Sequence, residues 1–153
     1  MGLFSGTPEI LSETERKHLS EQISEIEKQT SGELKISIQR ERSEGDAPLS
    51  LMDLALQHFQ RLGMEKTRDK TGVLIFLLLS EHKLQILADA GINEKVQAGT
   101  WAEIAASITA EFKSGKYFDG LTGGLSQAGK LLQTHFPAKH DDTNELSNDI
   151  HIS

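Results

Sequence analysis

The stretch GVLIFLLLSEHKLQILADA, residues 72–90, decides the fold. From Val73 to Leu79 every position is apolar. A run of that length, entered from a glycine and left by a polar turn, reads as a central strand buried on both faces. Ser80-Glu81-His82 is too short for a crossover. The next strand, running from Lys83 to about Ala88, must therefore return antiparallel as a hairpin. It ends on a carboxylate, Asp89, with Gly91 two residues on. An acid at that point either caps a turn or belongs to a site.

Upstream, Ser12-Glu13-Thr14-Glu15 has capping-box spacing. Leu19, Ile23, Ile26 and Thr30 then share a helical face, which predicts a first helix over 12–30. Residues 33–39 alternate, with Leu34, Ile36 and Ile38 on one face and Lys35, Ser37 and Gln39 on the other, the pattern of a half-buried strand. Pro48 suits the first turn of a second helix. Met52, Ala55, Leu56, Phe59 and Leu62 form its inner stripe, and Gly63 stops it.

Downstream, Thr100 and Glu103 form a second capping-box candidate. Trp101, Ile104, Ala105, Ile108 and Phe112 give the inner face of a third helix, broken at Gly115. A fourth runs from Phe118 to Phe136 and is closed by Pro137. Gly120, Gly124 and Ala128 recur every four residues along it, which lets another element approach closely. Residues 139–153 carry no apolar period and read as a disordered tail. The order is α-β-α-β-β-α-α, an α/β fold. Its first two strands are parallel across a helical crossover, and helices cover the sheet.

Composition bounds the function. One domain is expected for 153 residues. The formal net charge of -7 disfavours nucleic acid and anionic membranes as partners. There is no cysteine, hence no thiolate nucleophile and no cysteine zinc site. The segment MGLFSGTPEI has neither a basic start nor a long apolar core, and Gly6 stands where a myristoylation signal needs Ser or Thr. The longest apolar run is far below a membrane span of about 20 residues. A soluble, cytoplasmic protein is expected.

The topology sorts the carboxylates. Strands one and two start at one end of the sheet, and strand three, running backwards, finishes there. Glu33, Asp69 and Asp89 thus converge at that end from distant parts of the sequence. With backbone carbonyls and Asn93 they make a hard-oxygen set of the kind calcium or magnesium takes. Acids near turns more often cap a backbone N–H or are simply solvated. The opposite end is the rival site, since ligands of open α/β sheets sit beyond the carboxyl ends of parallel strands. There the loop 40–46 offers Arg40 and Arg42 to an anion, or Glu41, Glu44 and Asp46 to a cation. A near phosphate-binding loop at 124–130 fails twice. Leu131 stands where Ser or Thr is needed, and no strand precedes it.

Four motifs in order carry a resemblance: Ser31-Gly32-Glu33 entering a strand, the Asp69 loop leading into Gly72-Val73-Leu74-Ile75, the turn Ala88-Asp89-Ala90-Gly91-Ile92, and Phe112-Lys113-Ser114-Gly115 before a glycine-rich helix. The chain resembles the TPM domain family, and most closely its short soluble bacterial branch. The resemblance spans 12–137, leaving 1–11 as an N-terminal lead and 138–153 as a tail. It implies an α/β/α sandwich around a small mixed sheet. It also implies a small domain of uncertain role that binds a divalent cation, calcium with magnesium as the alternative, and a protein partner. The metal positions it carries over are Glu33, Asp69 and Asp89. A thylakoid relative described as an acid phosphatase, involved in photosystem repair, adds a metal-assisted phosphatase as the second function. Longer members have a signal sequence and a membrane anchor, neither of which is expected here. Asp89 and Ala90 also stand where those members tend to have glycine and an aromatic.

Overall fold

The computed structural model describes residues 10–66, 70–138 and 148–153. Its elements run α1 (Glu13–Glu27), β1 (Glu33–Gln39), α2 (Leu51–Arg61), β2 (Gly72–Leu78), β3 (Lys83–Ala88), α3 (Ala90–Asn93), α4 (Ala98–Phe112), α5 (Tyr117–His135) and β4 (His151–Ile152). The sheet order is β3-β2-β1-β4. β1 and β2 are parallel, with Glu33 opposite Gly72. β2 and β3 are antiparallel, with Val73 opposite Ala88. The mixed sheet and its hairpin are those expected from residues 72–90.

Side chains alternate across the sheet, so each strand feeds two cores. Leu34, Ile36, Ile38, Val73, Ile75, Leu77 and Ile86 pack against α1, α4 and α5. Leu74, Phe76 and Leu78 pack against α2 and Met64. The result is an α/β/α sandwich with β2 buried along its whole length. α4 and α5 lie close because α5 presents glycine to its neighbour. A Cβ on Gly124 would fall 2.3 Å from Ile108 Cδ1.

Several expectations change. β1 is buried on both faces, not half-buried. The reason is a polar layer described below. α2 begins at Leu51 behind a Ser50/Asp53 capping box, later than Pro48 suggested. Its buried face is Leu54, Ala55, His58 and Phe59, while Met52 and Leu56 are 45% and 43% exposed. α4 starts at Ala98, and its N-cap, Gln97, makes no side-chain bond, so the Thr100 box is not used. The expected disordered tail falls largely on residues outside those described. Its last residues, however, are seated in the sheet, with His151 opposite Ser37 and Ile152 opposite Ile38. Backbone bonds from Ser153 N to Ile38 O (2.8 Å) and from Arg40 N to Ser153 O (3.0 Å) hold them there. β1 thus gains an edge partner too short to leave a pattern in the sequence.

Candidate functional site

The N-terminal ends of β1 and β2 and the C-terminal end of β3 form one row. Glu33 stands opposite Gly72, and the Asp89 N–H donates to Gly72 O at 2.9 Å. Adjacent strands are about 4.8 Å apart, so the Glu33 and Asp89 backbones are separated by roughly 10 Å. Lys70 and Thr71, just before β2, are tied to the same end. Gly91 N donates to Lys70 O, and Glu33 N donates to Thr71 O. Thr71 and Gly91 also line a cleft of about 340 Å³ with Ser31, Glu94 and His135.

Asp89 does what its place after a strand suggests. It is the N-cap of α3, and its Oδ1 accepts from Ala90 N at 2.7 Å. Its Oδ2 is buried and has no hydrogen-bond partner among the described residues. Asp69 lies outside the described residues. Among those described, no three His, Cys, Asp or Glu side chains gather as a metal-binding group.

Glu33 is buried at 4% exposure, and its carboxyl has company that the sequence did not suggest. Glu27, the last residue of α1, reaches the outer edge of β1, where its Oε2 accepts from Leu34 N at 2.7 Å. Burial raises the Glu27 carboxyl from 4.5 to about 8; the Leu34 N–H works against this, and the neighbouring Glu33 carboxyl adds to it. Burial also lowers the Lys35 ammonium, which Glu27, Asp149 and Glu33 partly restore. Two acids and a lysine thus share a poorly hydrated pocket beside β1. No local pattern marks Glu27, because its role comes from the packing of α1 against the strand edge.

The polar face of β1 holds a second hidden group. His58 from α2 is buried at 2% exposure between Ser37 Oγ, 2.6 Å from Nδ1, and Gln39 Oε1, 2.9 Å from Nε2. Gln39 Nε2 donates to Glu41 O and to Asp46 Oδ2, which fixes Oε1 as the acceptor. His58 therefore carries its proton on Nε2 and accepts from the Ser37 hydroxyl. A serine bonded to an imidazole resembles a nucleophile and base, but Ser37 is fully buried. The trio satisfies the polar face of β1 and fixes α2 over it. Its histidine is held neutral, from 6.5 down to about 4, first by burial and then by the Arg61 and His151 charges.

The rival end of the sheet is paired internally. Arg42 is bound by the Glu81 carboxylate and donates to Asp46 O (2.7 Å) and Leu49 O (2.8 Å). The Asp46 carboxylate accepts from Ser43 N and Oγ, and those bonds hold its pKa below the usual carboxylate range. Arg42 and Asp46 are thus spent on shaping the loop.

Comparison with known proteins agrees with the fold. A family model described as the TPM domain matches residues 7–131. The solution structure of the BA42 protein from the psychrophilic bacterium Bizionia argentinensis superposes with a TM-score of 0.85 at 32% identity, covering 97% of this chain and 99% of that one. The N-terminal domain of a protein from P. gingivalis superposes with a TM-score of 0.69 at 19% identity, covering 86% and 83%, which is a likeness of fold. No curated protein matches. Among the described residues no helix is long and apolar enough to cross a membrane.

Proposed function

The chain belongs to the TPM domain family, and from that footing we propose that it is a binding domain for a divalent cation, calcium first and magnesium second. The cation sits at the sheet end that carries Glu33, Asp69 and Asp89. One observation carries the reading: Asp89 Oδ2 is buried with no hydrogen-bond partner among the described residues, while Oδ1 is committed to capping α3. Leaving a buried carboxylate oxygen unsatisfied is costly, and a hard cation is the ligand that relieves it without supplying a proton. Gly91 N bonds the carbonyl of Lys70, the residue after Asp69 in sequence. Glu33 adds negative charge at the head of β1.

The phosphatase alternative has weaker support. It requires positive charge free to meet a phosphoryl group. Lys70 directs its ammonium to Glu65 O at 3.0 Å, and Lys95, which lines the cleft, directs its own to His135 O at 3.4 Å and over the Phe136 ring.

Thermal melting with calcium, magnesium or chelator tests the proposal. A cation that binds only the native state adds about 2.7 kcal/mol at a hundredfold excess over Kd. Calcium should raise the midpoint of the wild type, and the rise should shrink in Asp89→Asn and in Asp69→Asn. Absence of any rise in the wild type removes the cation reading. An equal rise in all three moves the cation elsewhere.

A further inference from the structure

Among the described residues β3 is an edge strand, and its outer edge lines an apolar groove. The Asp89 N–H bonds to Gly72 O, so odd-numbered residues of β3 face β2. By antiparallel alternation the N–H and C=O groups of Leu84, Ile86 and Ala88 point outward. The groove, about 330 Å³, is walled by Met52 of α2 on one side and by Trp101, Ala102 and Ala105 of α4 on the other. Met52 and Leu56, one helical turn apart, are the exposed large hydrophobics among the described residues. Trp101 is buried at 4% exposure, yet its indole Nε1 has no hydrogen-bond partner among those residues. A row of outward backbone groups and two apolar walls thus meet in one place.

We infer that this groove binds an extended peptide segment of another protein, which adds to β3 as a further strand. A row of alternating donors and acceptors at strand spacing is matched by another strand. Flanking walls on opposite faces suit side chains that alternate between them. The segment is therefore apolar at alternate positions over about five residues, without proline at the pairing positions. A second copy of this chain fits less well. It would bring a second formal net charge of -7 against the same face. Two local side chains now occupy outward carbonyls: Asn93 Nδ2 on Ala88 O (3.0 Å) and Gln85 Nε2 on Ile86 O (3.3 Å). Both can swing aside to admit a strand.

The test selects dodecapeptides from a random display library against the full chain and then measures the synthetic consensus peptide in solution. Trp101 is the chain's one tryptophan, so its emission reports docking directly. The expected consensus alternates apolar residues, shifts that emission and slows exchange of the Leu84, Ile86 and Ala88 amides. Affinity should fall about tenfold or more in Ala102→Arg and in Met52→Glu, exposed positions where the fold tolerates change. Ala88→Pro, which removes an outward donor while leaving the β2 ladder intact, should also weaken it. The inference is overturned if the library enriches nothing, if the consensus has helical spacing, or if those three amides are unaffected. A concentration-dependent dimer dissolved by Met52→Glu would overturn it as well, and would assign the groove to a second copy.

Discussion

The two buried titratable groups, His58 and Glu27, pull stability in opposite directions as pH changes, and this sets a distinctive profile. The His58 imidazole titrates near 6.5 in the unfolded chain but resists protonation until about 4 in the fold. Between those values the unfolded state holds more protons, so stability falls as pH falls. Roughly 2.5 pH units at about 1.4 kcal/mol each amounts to about 3.5 kcal/mol. Glu27 behaves in reverse. Its carboxyl keeps a proton up to about 8 in the fold, whereas the unfolded chain releases it near 4.5. Its contribution is fully present below 4.5 and is lost as pH rises toward 8. From 4.5 to 6.5 the two slopes oppose each other, so the wild type should show a plateau there. Above 6.5 the His58 slope has ended, and of these two groups only Glu27 acts, lowering stability. Below 4.5 the loss from His58 is joined by those of Asp46 and Glu81, whose pKa values are lowered by bonds from Ser43 and Arg42.

Urea unfolding at half-unit steps from pH 4.5 to 8 reads this directly, provided that the m-value stays constant. His58→Gln keeps a donor toward Gln39 but leaves Ser37 unmet, at a cost of about 1–3 kcal/mol. It also removes the histidine slope. In that variant the plateau should be replaced by a steady gain in stability from pH 8 down to 4.5. Glu27→Gln should do the converse, flat above 6.5 and falling below it. A His58→Gln profile parallel to the wild type between 4.5 and 6.5 would refute the reasoning, because it would show that burial of the imidazole is not linked to its proton.

Three further outcomes are expected. Gly124→Leu places side-chain atoms where Ile108 already stands, so overpacking should cost about 1–3 kcal/mol in urea unfolding. Ser50→Ala removes the bond from Asp53 N to Ser50 Oγ (3.0 Å), and loss of that cap should cost about 1 kcal/mol with little change in m-value. Deleting residues 151–153 removes β4 and its backbone bonds to β1, and hydrogen exchange should then quicken at Arg40 while the Val73 to Leu78 amides stay protected.

The fold was legible because residues 72–90 leave little choice. A run apolar at every position must be central, and three polar residues cannot carry a crossover, so the hairpin and its neighbours follow. Ser12 and Gly124 were legible for the same kind of reason, since capping spacing and four-residue glycine spacing act within one helix. Misreadings arose where a residue's environment is set by a distant one. The polar side of β1 looks like a solvent face until His58 arrives from α2 to bond Ser37 and Gln39. Met52 and Leu56 look like core until Leu54, Ala55, His58 and Phe59 take that face. β4 is two residues long, and no periodicity exists at that length.

The carboxylates divide along the same line. Topology alone delivers Glu33 and Asp89 to one row, because strand direction follows from crossover and turn lengths. What each carboxyl does there depends on contacts that strand order does not encode. Asp89 is partly spent as a cap, and this sharpens its chemistry: with Oδ1 held by Ala90 N, the carboxylate cannot rotate to satisfy Oδ2 without uncapping α3. Glu33 instead shares a pocket with Glu27, whose proton is held to about 8. With that proton in place, Glu27 adds no negative charge near neutral pH. Cation affinity should therefore depend little on Glu27→Gln near pH 7 and strongly on Asp89→Asn. Isothermal titration with calcium separates these cases. If Glu27→Gln proves the more damaging variant, the acid pair beside β1, and not the end of β3, holds the metal.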